Sequence, residues 1–332
     1  MSGRILAGDV GGTKTNLALY ERRDGKLHAL AEDSVHNQGK SGLEPLVRTF
    51  LAAQSHLKLD RVPVEHACFG IAGPVKNQRC EATNLPWTVD AAELRRHLKI
   101  SSLSLVNDLE ATGWGICELD ASELVVLQPG ALDAEGSRAV VAAGTGLGEA
   151  GMLWDGTRHH PFPTEGGHSD FAPRNKLEIE LLLYLTGQFG RVSYERLLSG
   201  PGLFNIYKFL KDTGRGEELP EVAKEISSGD PAAVISASTQ QSALCQRAVS
   251  LFVSVYGAEA GNMALKTLAL GGVYLGGGIA PKNIEQMKHP DFLSAFNQKG
   301  RMQPLLEGIP VKVIMNDRTA LLGAAHCAEF TH

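Results

Sequence analysis

The chain lacks three features that are typical of membrane, secreted or zinc-stabilised proteins. No uninterrupted apolar run reaches the roughly 20 residues of a membrane-spanning helix, and no signal-like segment opens the sequence. Cysteine is scarce and odd in number, and no Cys-x-x-Cys pair occurs, so the spacing of a disulfide framework or a structural zinc site is missing. The five cysteines are Cys68, Cys80, Cys117, Cys245 and Cys327. These absences predict a cytoplasmic protein with reduced thiols.

The chain also lacks an excess of positive charge. The formal net charge is −5 and no long run of lysine or arginine occurs, which argues against nucleic acid or a membrane surface as the main partner. The composition, with 43% hydrophobic and 21% charged residues, is that of a globular protein. At 332 residues the chain exceeds the roughly 250–300 at which one core stops growing, so two domains are expected.

The order of apolar patterns alternates between strands and helices. A hairpin over 5–20 is followed by predicted strands at 26–36, 65–75, 102–108 and 137–154, with helices at 42–58 and 91–98 between them. From about residue 175 the pattern is mainly helical, up to an apolar strand at about 270 and a helical tail from 317. Such alternation predicts an α/β protein with mixed sheets flanked by helices.

No low-complexity linker marks a boundary between domains. We place the boundary near residue 118, where the pattern of the first lobe ends. The prediction is a small α/β lobe over 1–118, with 317–332 packing back on it, and a large α/β lobe over 119–316. A cleft between the lobes is the expected place for ligands.

Three glycine clusters follow apolar strands, and each is a candidate ligand site. They are Gly11-Gly12-Thr13, Gly144-Thr145-Gly146 and Gly276-Gly277-Gly278. Glycine permits positive φ and close approach of a ligand, so that backbone N–H groups can converge on a phosphate. No GxxxxGK[ST] sequence occurs, so a P-loop is not supported. The simpler interpretation of Gly-Gly is a hairpin turn, but three clusters together favour a triphosphate held by two turns, with adenine at the third.

Asp9 precedes the first cluster. It could hold or orient the hydrated Mg²⁺ that accompanies phosphates, and Thr13 could donate a hydroxyl hydrogen bond. The alternative is that Asp9 only caps the turn.

Carboxylates elsewhere suit sugar chemistry. Asp108, after Asn107 at the end of a buried strand, could accept a proton from a hydroxyl nucleophile, although it could also be a helix N-cap. Glu165, His168 and Glu195 lie near glycines and could hydrogen-bond sugar hydroxyls.

Six strings, in register along nearly the whole chain, resemble the bacterial-type, non-ROK glucokinases of the hexokinase and actin-like superfamily. They are GDVGGT (8–13), VND (106–108), GTGLG (144–148), EGGH (165–168), ERLLSGPG (195–202) and GGVYLGGGI (271–279). The resemblance implies a two-lobed actin-like, ribonuclease H-like fold with glucose in the cleft. It also implies transfer of the γ-phosphoryl group of Mg-ATP to the 6-hydroxyl of D-glucose, and a homodimer.

The resemblance also implies roles for individual residues. Asp108 would be the catalytic base, and Asp9 would hold Mg²⁺, directly or through water. The residues expected to bind glucose are Asn84, Asn107, Asp108, Glu165, His168 and Glu195. The residues expected to bind ATP are Gly8, Asp9, Val10, Gly11, Gly12, Thr13, Gly144, Thr145, Gly146, Gly277 and Gly278.

Two features show which subgroup the chain resembles and where the resemblance stops. The ROK family carries a cysteine-rich zinc loop after its corresponding histidine, whereas residues 169–200 contain no cysteine, which favours the non-ROK group. Residues 213–230 match no family motif and are predicted to be a solvated loop. Another hexose, or ADP or polyphosphate as donor, remains an alternative. A non-catalytic sugar sensor is a second alternative. Regulators of that kind carry a helix-turn-helix before the kinase-like part, and no such pattern precedes the first glycine turn here.

Overall fold

A computed structural model describes residues 3–60, 62–81, 85 and 87–330. The chain divides into two compact units. The first unit comprises Met1–Glu123, His159–Pro163 and Asn316–His332, and the second comprises Leu124–Arg158 and Thr164–Met315. Each unit contains a β-sheet and helices, in agreement with the predicted α/β class.

The first unit is built on a mixed sheet in the order β3-β2-β1-β4-β8. Strands β1 and β2 are antiparallel, whereas β1, β4 and β8 run parallel. Its strands are β1 (Arg4–Val10), β2 (Lys14–Arg23), β3 (Lys26–His36), β4 (Val64–Ile71), β5 (Val75–Lys76), β6 (Arg79–Cys80), β7 (Val89–Asp90) and β8 (Ser102–Asn107). Its helices are α1 (Leu43–Ala53), α2 (Ala91–Leu98), α3 (Asp108–Ile116) and α13 (Thr319–Ala328), with short 3₁₀ turns at Ser55–Leu57 and Ala121–Glu123.

Both faces of this sheet are buried, because successive residues of a strand point to opposite faces. In β1, Leu6 and Val10 belong to one apolar cluster, together with Phe50 of α1. Ile5 and Ala7 belong to another, which includes α3 and α13. The first unit is therefore a three-layer structure with helices on both faces of its sheet.

The second unit has a sheet that contains β11, β10, β13, β14 and β9 in that order. Strands β10, β13 and β14 are parallel, and β11 and β9 are antiparallel to their neighbours. The strands are β9 (Leu124–Gln128), β10 (Arg138–Ala143), β11 (Leu147–Trp154), β13 (Gly272–Gly276) and β14 (Val311–Ile314); β12 covers His159–Thr164.

Helices make up the rest of the second unit. They are α4 (Lys176–Phe189), α5 (Gly200–Asp212), α6 (Pro220–Ser228), α7 (Pro231–Ala237), α8 (Ala243–Thr267), α9 (Ile279–Lys282), α10 (Ile284–Met287), α11 (Pro290–Asn297) and α12 (Gln303–Glu307), with 3₁₀ turns at Gly166–His168, Tyr194–Arg196 and Gly300–Met302. Helix α8 is buried along most of its 25 residues. No described helix combines the length and apolarity that a bilayer crossing requires.

Two expectations from the sequence need correction. The helix predicted over 42–58 ends at Ala53, because Gln54 leaves the helical conformation with φ −93 and ψ 31, and only a 3₁₀ turn follows. Residues 213–230, predicted to be a solvated loop, contain α6, whose Val222 is fully buried. Val222 and Ile226 of this helix both contact the apolar cluster of the second unit, a contact that the charged residues between them obscured in the sequence.

Helices α3 and α13 approach each other closely, because glycines replace side chains at their contact. A Cβ on Gly323 of α13 would collide with the carbonyl oxygen of Ala111 and the amide of Gly115. A Cβ on Gly115 of α3 would collide with the carbonyl of Thr319. Since the obstacles are backbone atoms, a larger residue would have to displace a helix.

We expect Gly323→Ala to lower the free energy of unfolding by about 1–3 kcal/mol, the usual cost of overpacking. Gly187→Ala in α4 is the matched control, because its Cβ would meet no described atom within 4 Å. That variant should be neutral or more stable by up to about 1 kcal/mol, through helix propensity. Urea unfolding of both variants measures the difference, and equal effects would contradict the packing argument.

Candidate active site

Parallel pairing brings three strand ends of the first unit to one edge of its sheet. Val10 pairs with Ile71, and Ile71 pairs with Asn107. The turn after β1 and the junction between β8 and α3 therefore leave the sheet side by side. The glycine turn and Asp108, which lie far apart in the sequence, belong to the same edge.

The turn after β1 is held by Asn37. Its side-chain amide donates to the carbonyl of Gly11 at 2.7 Å, and its oxygen accepts from the Thr15 hydroxyl at 2.7 Å. The Gly11 amide donates to the Lys14 carbonyl at 3.0 Å. Asn37 is buried, and the sequence patterns did not single it out. This asparagine therefore fixes the backbone of the turn.

Asp9 lies at the end of β1 beside this turn. Its Oδ2 accepts from the side-chain amide of Asn16 at 3.1 Å. Burial raises the pKa of Asp9, and the Asn16 hydrogen bond and the Lys14 charge oppose that shift only in part. A cation near Asp9 would favour its ionised form, so the residue is chemically suited to a metal or a hydrated metal.

Left-handed backbone does not explain the glycines of the first two clusters; a Cβ on Gly146 would collide with the Glu195 carboxylate, whereas one on Gly144 would meet no described atom within 4 Å. The left-handed glycines that the structure describes do not include Gly11, Gly12, Gly144 or Gly146, contrary to the expectation of positive φ. Gly8 leaves room for the Phe69 ring. Gly8 and Val10 lie inside β1, and Val10 is fully buried, so any contact they make with a ligand involves the backbone.

Asn107 and Asp108 form the junction of β8 and α3. Asn107 is the helix N-cap: its side-chain oxygen accepts from the Leu109 amide at 2.9 Å, and its amide donates to the Gly73 carbonyl at 3.2 Å. Asp108 is the first helical residue, and its Oδ1 also accepts from the Leu109 amide, at 3.0 Å. Because Asn107 caps the helix, capping does not explain why residue 108 is an aspartate.

Glu110 is a half-buried acid in the first turn of α3. Burial raises the pKa of Glu110 to about 7, and a hydrogen bond from the Asn107 backbone opposes this shift. Sequence patterns gave no reason to select it, because a glutamate in a first helical turn is ordinary. An acid of this pKa two residues from Asp108 makes the local charge sensitive to pH near neutrality.

In the second unit, the second and third glycine clusters line one cavity. Ala142 of β10 pairs with Gly276 of β13, and the two strands run parallel, so the clusters that follow them lie at one sheet edge. A cavity of about 750 Å³ is lined by Gly144, Thr145 and Gly278, among others. Gly277 does have a left-handed φ of 73, and a Cβ there would collide with the Ala143 backbone.

The same cavity is lined by residues that the sequence patterns missed. Phe204 of α5, Asp230, Lys282 and Asn283 contribute to its wall. Asp230 is the N-cap of α7, where its side chain accepts from the Ala232 amide at 3.0 Å. The pair Asp230-Pro231 is a sequence pattern typical of a helix N-terminus, but nothing in the sequence links it to the glycine clusters.

Glu165, His168 and Glu195 lie close together in the second unit. Nδ1 of His168 is 3.7 Å from Oε1 of Glu195, and Nε2 is 3.9 Å from Oε2 of Glu165. Oε2 of Glu195 accepts from the Leu147 amide at 3.0 Å, which fixes the carboxylate beside Gly146. The three side chains keep 55%, 64% and 31% exposure for His168, Glu165 and Glu195, so they remain accessible to a polar ligand.

Three further points concern the candidate site. Asn84 lies outside the described residues. Residues 146–151 have the spacing GxGxxG, but they continue into β11 rather than a helix, which is not the arrangement of a dinucleotide-binding loop. Within the described ranges, no group of three or more His, Cys, Asp or Glu side chains is arranged to hold a metal ion.

The chain was compared with known proteins. The family model described as Glucokinase matches residues 6–331. A glucokinase of Nostoc sp. is 44% identical over 340 residues, an alignment that covers 98% of this chain and 98% of that protein. The chain belongs to the glucokinase family. The family resemblance of the six sequence strings is thereby confirmed.

Solved structures of glucokinases share the fold. The glucokinase from an Antarctic psychrotroph has a TM-score of 0.85 and 27% identity, over 99% of this chain and 100% of that one. A ROK family glucokinase from Streptomyces griseus has a TM-score of 0.67 at 18% identity, over 99% of this chain and 100% of that one. The second similarity concerns the fold alone. The predicted α/β fold of the actin-like superfamily is confirmed.

The raised pKa of Glu110 predicts a pH-dependent stability of this glucokinase-family chain. An acid that is harder to ionise when folded costs stability as the pH rises from its ordinary pKa of 4.5 to about 7, since the native state binds more protons than the unfolded state there. Glu110→Gln should therefore gain stability relative to the parent across this window and show a constant difference above it.

Urea unfolding at several pH values measures this difference. Glu93→Gln is the control, because Glu93 occupies the first turn of α2 and is exposed. Its difference from the parent should not change across the same window. A difference for Glu110→Gln that does not grow with pH would contradict the assignment.

Proposed function

We propose that the chain transfers the γ-phosphoryl group of ATP to the 6-hydroxyl of D-glucose, giving glucose 6-phosphate and ADP. The observation that carries this proposal is the near full-length match to the glucokinase family. Residues of each unit are proposed for the separate parts of the reaction.

Glu165, His168 and Glu195 are proposed to hold glucose. Their carboxylates accept from sugar hydroxyls, and the imidazole can donate or accept. The support is that both glutamates lie within 3.9 Å of the His168 ring and that the Leu147 hydrogen bond fixes Glu195. Asn107 and Asn84 are assigned to the sugar by the family resemblance alone.

Asp108 is proposed to be the general base. It would accept the proton of the 6-hydroxyl as that oxygen attacks the γ-phosphorus, and the bond from this phosphorus to the bridging oxygen of ADP breaks. The location of Asp108 at the end of a buried strand supports this role, and so does the assignment of helix capping to Asn107.

The glycine clusters are proposed to bind ATP. The cavity lined by Gly144, Thr145 and Gly278 has the size expected for a small-molecule site, and we assign it to the adenosine part. The backbone N–H groups of the turns at 11–13 and 144–146 would stabilise charge on the phosphoryl oxygens. The Streptomyces griseus ROK glucokinase, whose crystal structure contains glucose and AMPPNP, shares the fold.

Magnesium fits the residues of the first turn. Mg²⁺ prefers oxygen ligands, keeps several waters and binds through one or two carboxylates plus substrate phosphates. Asp9 offers such a carboxylate at the turn, with Oδ2 oriented by Asn16. When bound, Mg²⁺ neutralises phosphate charge. We propose that Asp9 holds it directly or through water.

Three broader properties belong to the same proposal. Glucose phosphorylation would make the protein an enzyme of glycolysis acting in the cytoplasm. The family resemblance implies a homodimer, and the exposed side chains of Ile179 and Leu183, one turn apart on α4, offer apolar surface for it.

A coupled assay tests the function and its alternatives together. Purified protein is given glucose, mannose, fructose or N-acetylglucosamine, each with ATP, ADP or polyphosphate, and sugar 6-phosphate is measured. We expect turnover with glucose and ATP, loss of turnover in excess EDTA, and recovery with Mg²⁺. Preference for another sugar or donor would replace the substrate assignment. Glucose binding without turnover under any condition would favour the sugar sensor.

Asp108→Asn should separate catalysis from binding. The amide keeps the shape and most hydrogen bonds but cannot accept the proton, so kcat should fall by about 10²- to 10⁴-fold. Glucose affinity, measured by calorimetry, should stay near the parent value. Glu165→Gln and His168→Ala should instead raise KM at least as much as they lower kcat, because their partners are hydroxyls that do not react.

Asp90→Asn is the matched control for Asp108→Asn. Asp90 is a true N-cap, and its side chain accepts from the Glu93 amide at 3.0 Å. Asparagine caps nearly as well as aspartate, so kcat should remain near the parent value. If Asp108→Asn behaves in the same way, Asp108 is not the base.

A further inference from the structure

Glu149 is a buried acid beneath the proposed sugar-binding segments. It lies on β11 with only 1% of its surface exposed. A Cβ on Gly166 would collide with its Oε2, so the carboxyl group fills the space directly under the Gly166–His168 turn. The backbone carbonyl of Glu149 accepts from the Thr164 hydroxyl at 2.9 Å, and that hydroxyl accepts from the Gly166 amide at 3.2 Å.

The same strand supports the other sugar-binding segment. Leu147, two residues before Glu149, donates its amide to Glu195 at 3.0 Å. Its carbonyl lies where a Cβ of Gly167 would be. The position of β11 therefore sets the position of both Glu195 and the turn that carries His168.

The carboxyl oxygens of Glu149 lack a donor among the described residues, although both are buried. The neighbouring acid is Glu259, fully buried on α8, whose oxygens already accept from Asn262 at 2.7 Å and Lys266 at 3.1 Å. A buried polar atom without a partner is costly. A proton on Glu149, donated to Glu259, removes that cost, because two carboxylates cannot hydrogen-bond unless one is protonated.

We propose that Glu149 is a positioning residue for glucose: as a neutral acid hydrogen-bonded to Glu259 it supports the Gly166–His168 turn, and its ionisation displaces that turn and weakens glucose binding. The proposal rests on the assignment of Glu165, His168 and Glu195 to the sugar. It adds a pH-dependent control of sugar affinity by a residue that does not touch the sugar.

The groups that face this pair come from several elements. Around Glu149 and Glu259 these groups are Lys266 and Tyr256 of α8, Tyr194 next to Glu195, and Lys299 before the last 3₁₀ turn of the second unit. Burial and, after it, the neighbouring Glu259 raise the pKa of Glu149 to about 8, although the charge of Lys266 opposes the shift. Burial lowers the pKa of Lys299 to about 8, so this lysine also loses charge in the alkaline range.

The sign of the effect follows from the raised pKa of Glu149. The folded protein binds the proton more tightly than the unfolded chain, so this acid costs stability increasingly as the pH rises from 4.5 to about 8. Above about 8 the native state itself ionises. If only the neutral form binds glucose well, the dissociation constant should rise by up to about tenfold per pH unit there.

The experiment measures glucose affinity of the full chain by calorimetry from about pH 6 to about pH 10, a range that brackets the pKa of about 8. Glu149→Gln keeps the shape, donates an amide hydrogen to Glu259 and cannot ionise. We expect near-parent affinity for this variant at neutral pH and no alkaline weakening from this site. Glu149→Ala removes the support and should bind glucose several-fold more weakly at every pH.

Glu178→Gln is the matched control. Glu178 is another fully buried glutamate of this unit, paired with Arg174 and with Asn175. Loss of this ion pair should lower thermal stability but leave the alkaline weakening of glucose binding as in the parent. The same pH dependence in Glu149→Gln as in the parent overturns the proposal, and so does a Glu149→Gln affinity as poor as that of Glu149→Ala.

Two outcomes distinguish this inference from the proposed function. If the parent binds no glucose at any pH, both are wrong. If the parent binds and phosphorylates glucose but Glu149→Gln leaves the pH profile unchanged, only the inference is wrong. Thermal unfolding without glucose adds an independent measure, because Glu149→Gln should gain stability over the parent as the pH rises towards about 8.

Discussion

Parallel strand pairing is the constraint on which the candidate site depends. Strands β1, β4 and β8 run parallel in the first unit, and β10 and β13 run parallel in the second. Because parallel strands end at the same edge, segments far apart in sequence leave the sheet together. The first glycine turn thereby joins the Asn107–Asp108 junction, and the second glycine cluster joins the third at one cavity. Antiparallel sheets alone would scatter these segments over two edges.

The sequence predicts much of this arrangement because the relevant signals are local. Glycine clusters after apolar strands marked the turns, and alternation marked β1, β2, β10 and β11. The six strings in register indicated the family, and the family resemblance predicted the fold. Helix ends were less accessible: α1 stops at Ala53, where Gln54 leaves the helical conformation, although the apolar pattern continues.

The parts that could not be predicted depend on contacts between distant residues. Asn37 hydrogen-bonds the first turn although it lies 22 residues after Thr15 in the sequence, and no motif surrounds it. Lys282 and Asp230 reach the same cavity from different helices. The sequence patterns did not single out Glu149, whose unusual environment comes first from its burial and then from Glu259 on α8. Burial and neighbouring charge are tertiary properties, so spacing alone does not reveal them.

The close packing of α3 and α13 has a consequence for biosynthesis. Residues 319–328 complete the apolar cluster that covers one face of the first sheet, together with β1 and α3. A ribosome delivers β1 first and α13 after nearly the entire second unit has been made. During translation one face of the first sheet therefore stays open to solvent or to chaperones. The second unit, whose two segments are separated by only five residues of the first, can close its own core earlier.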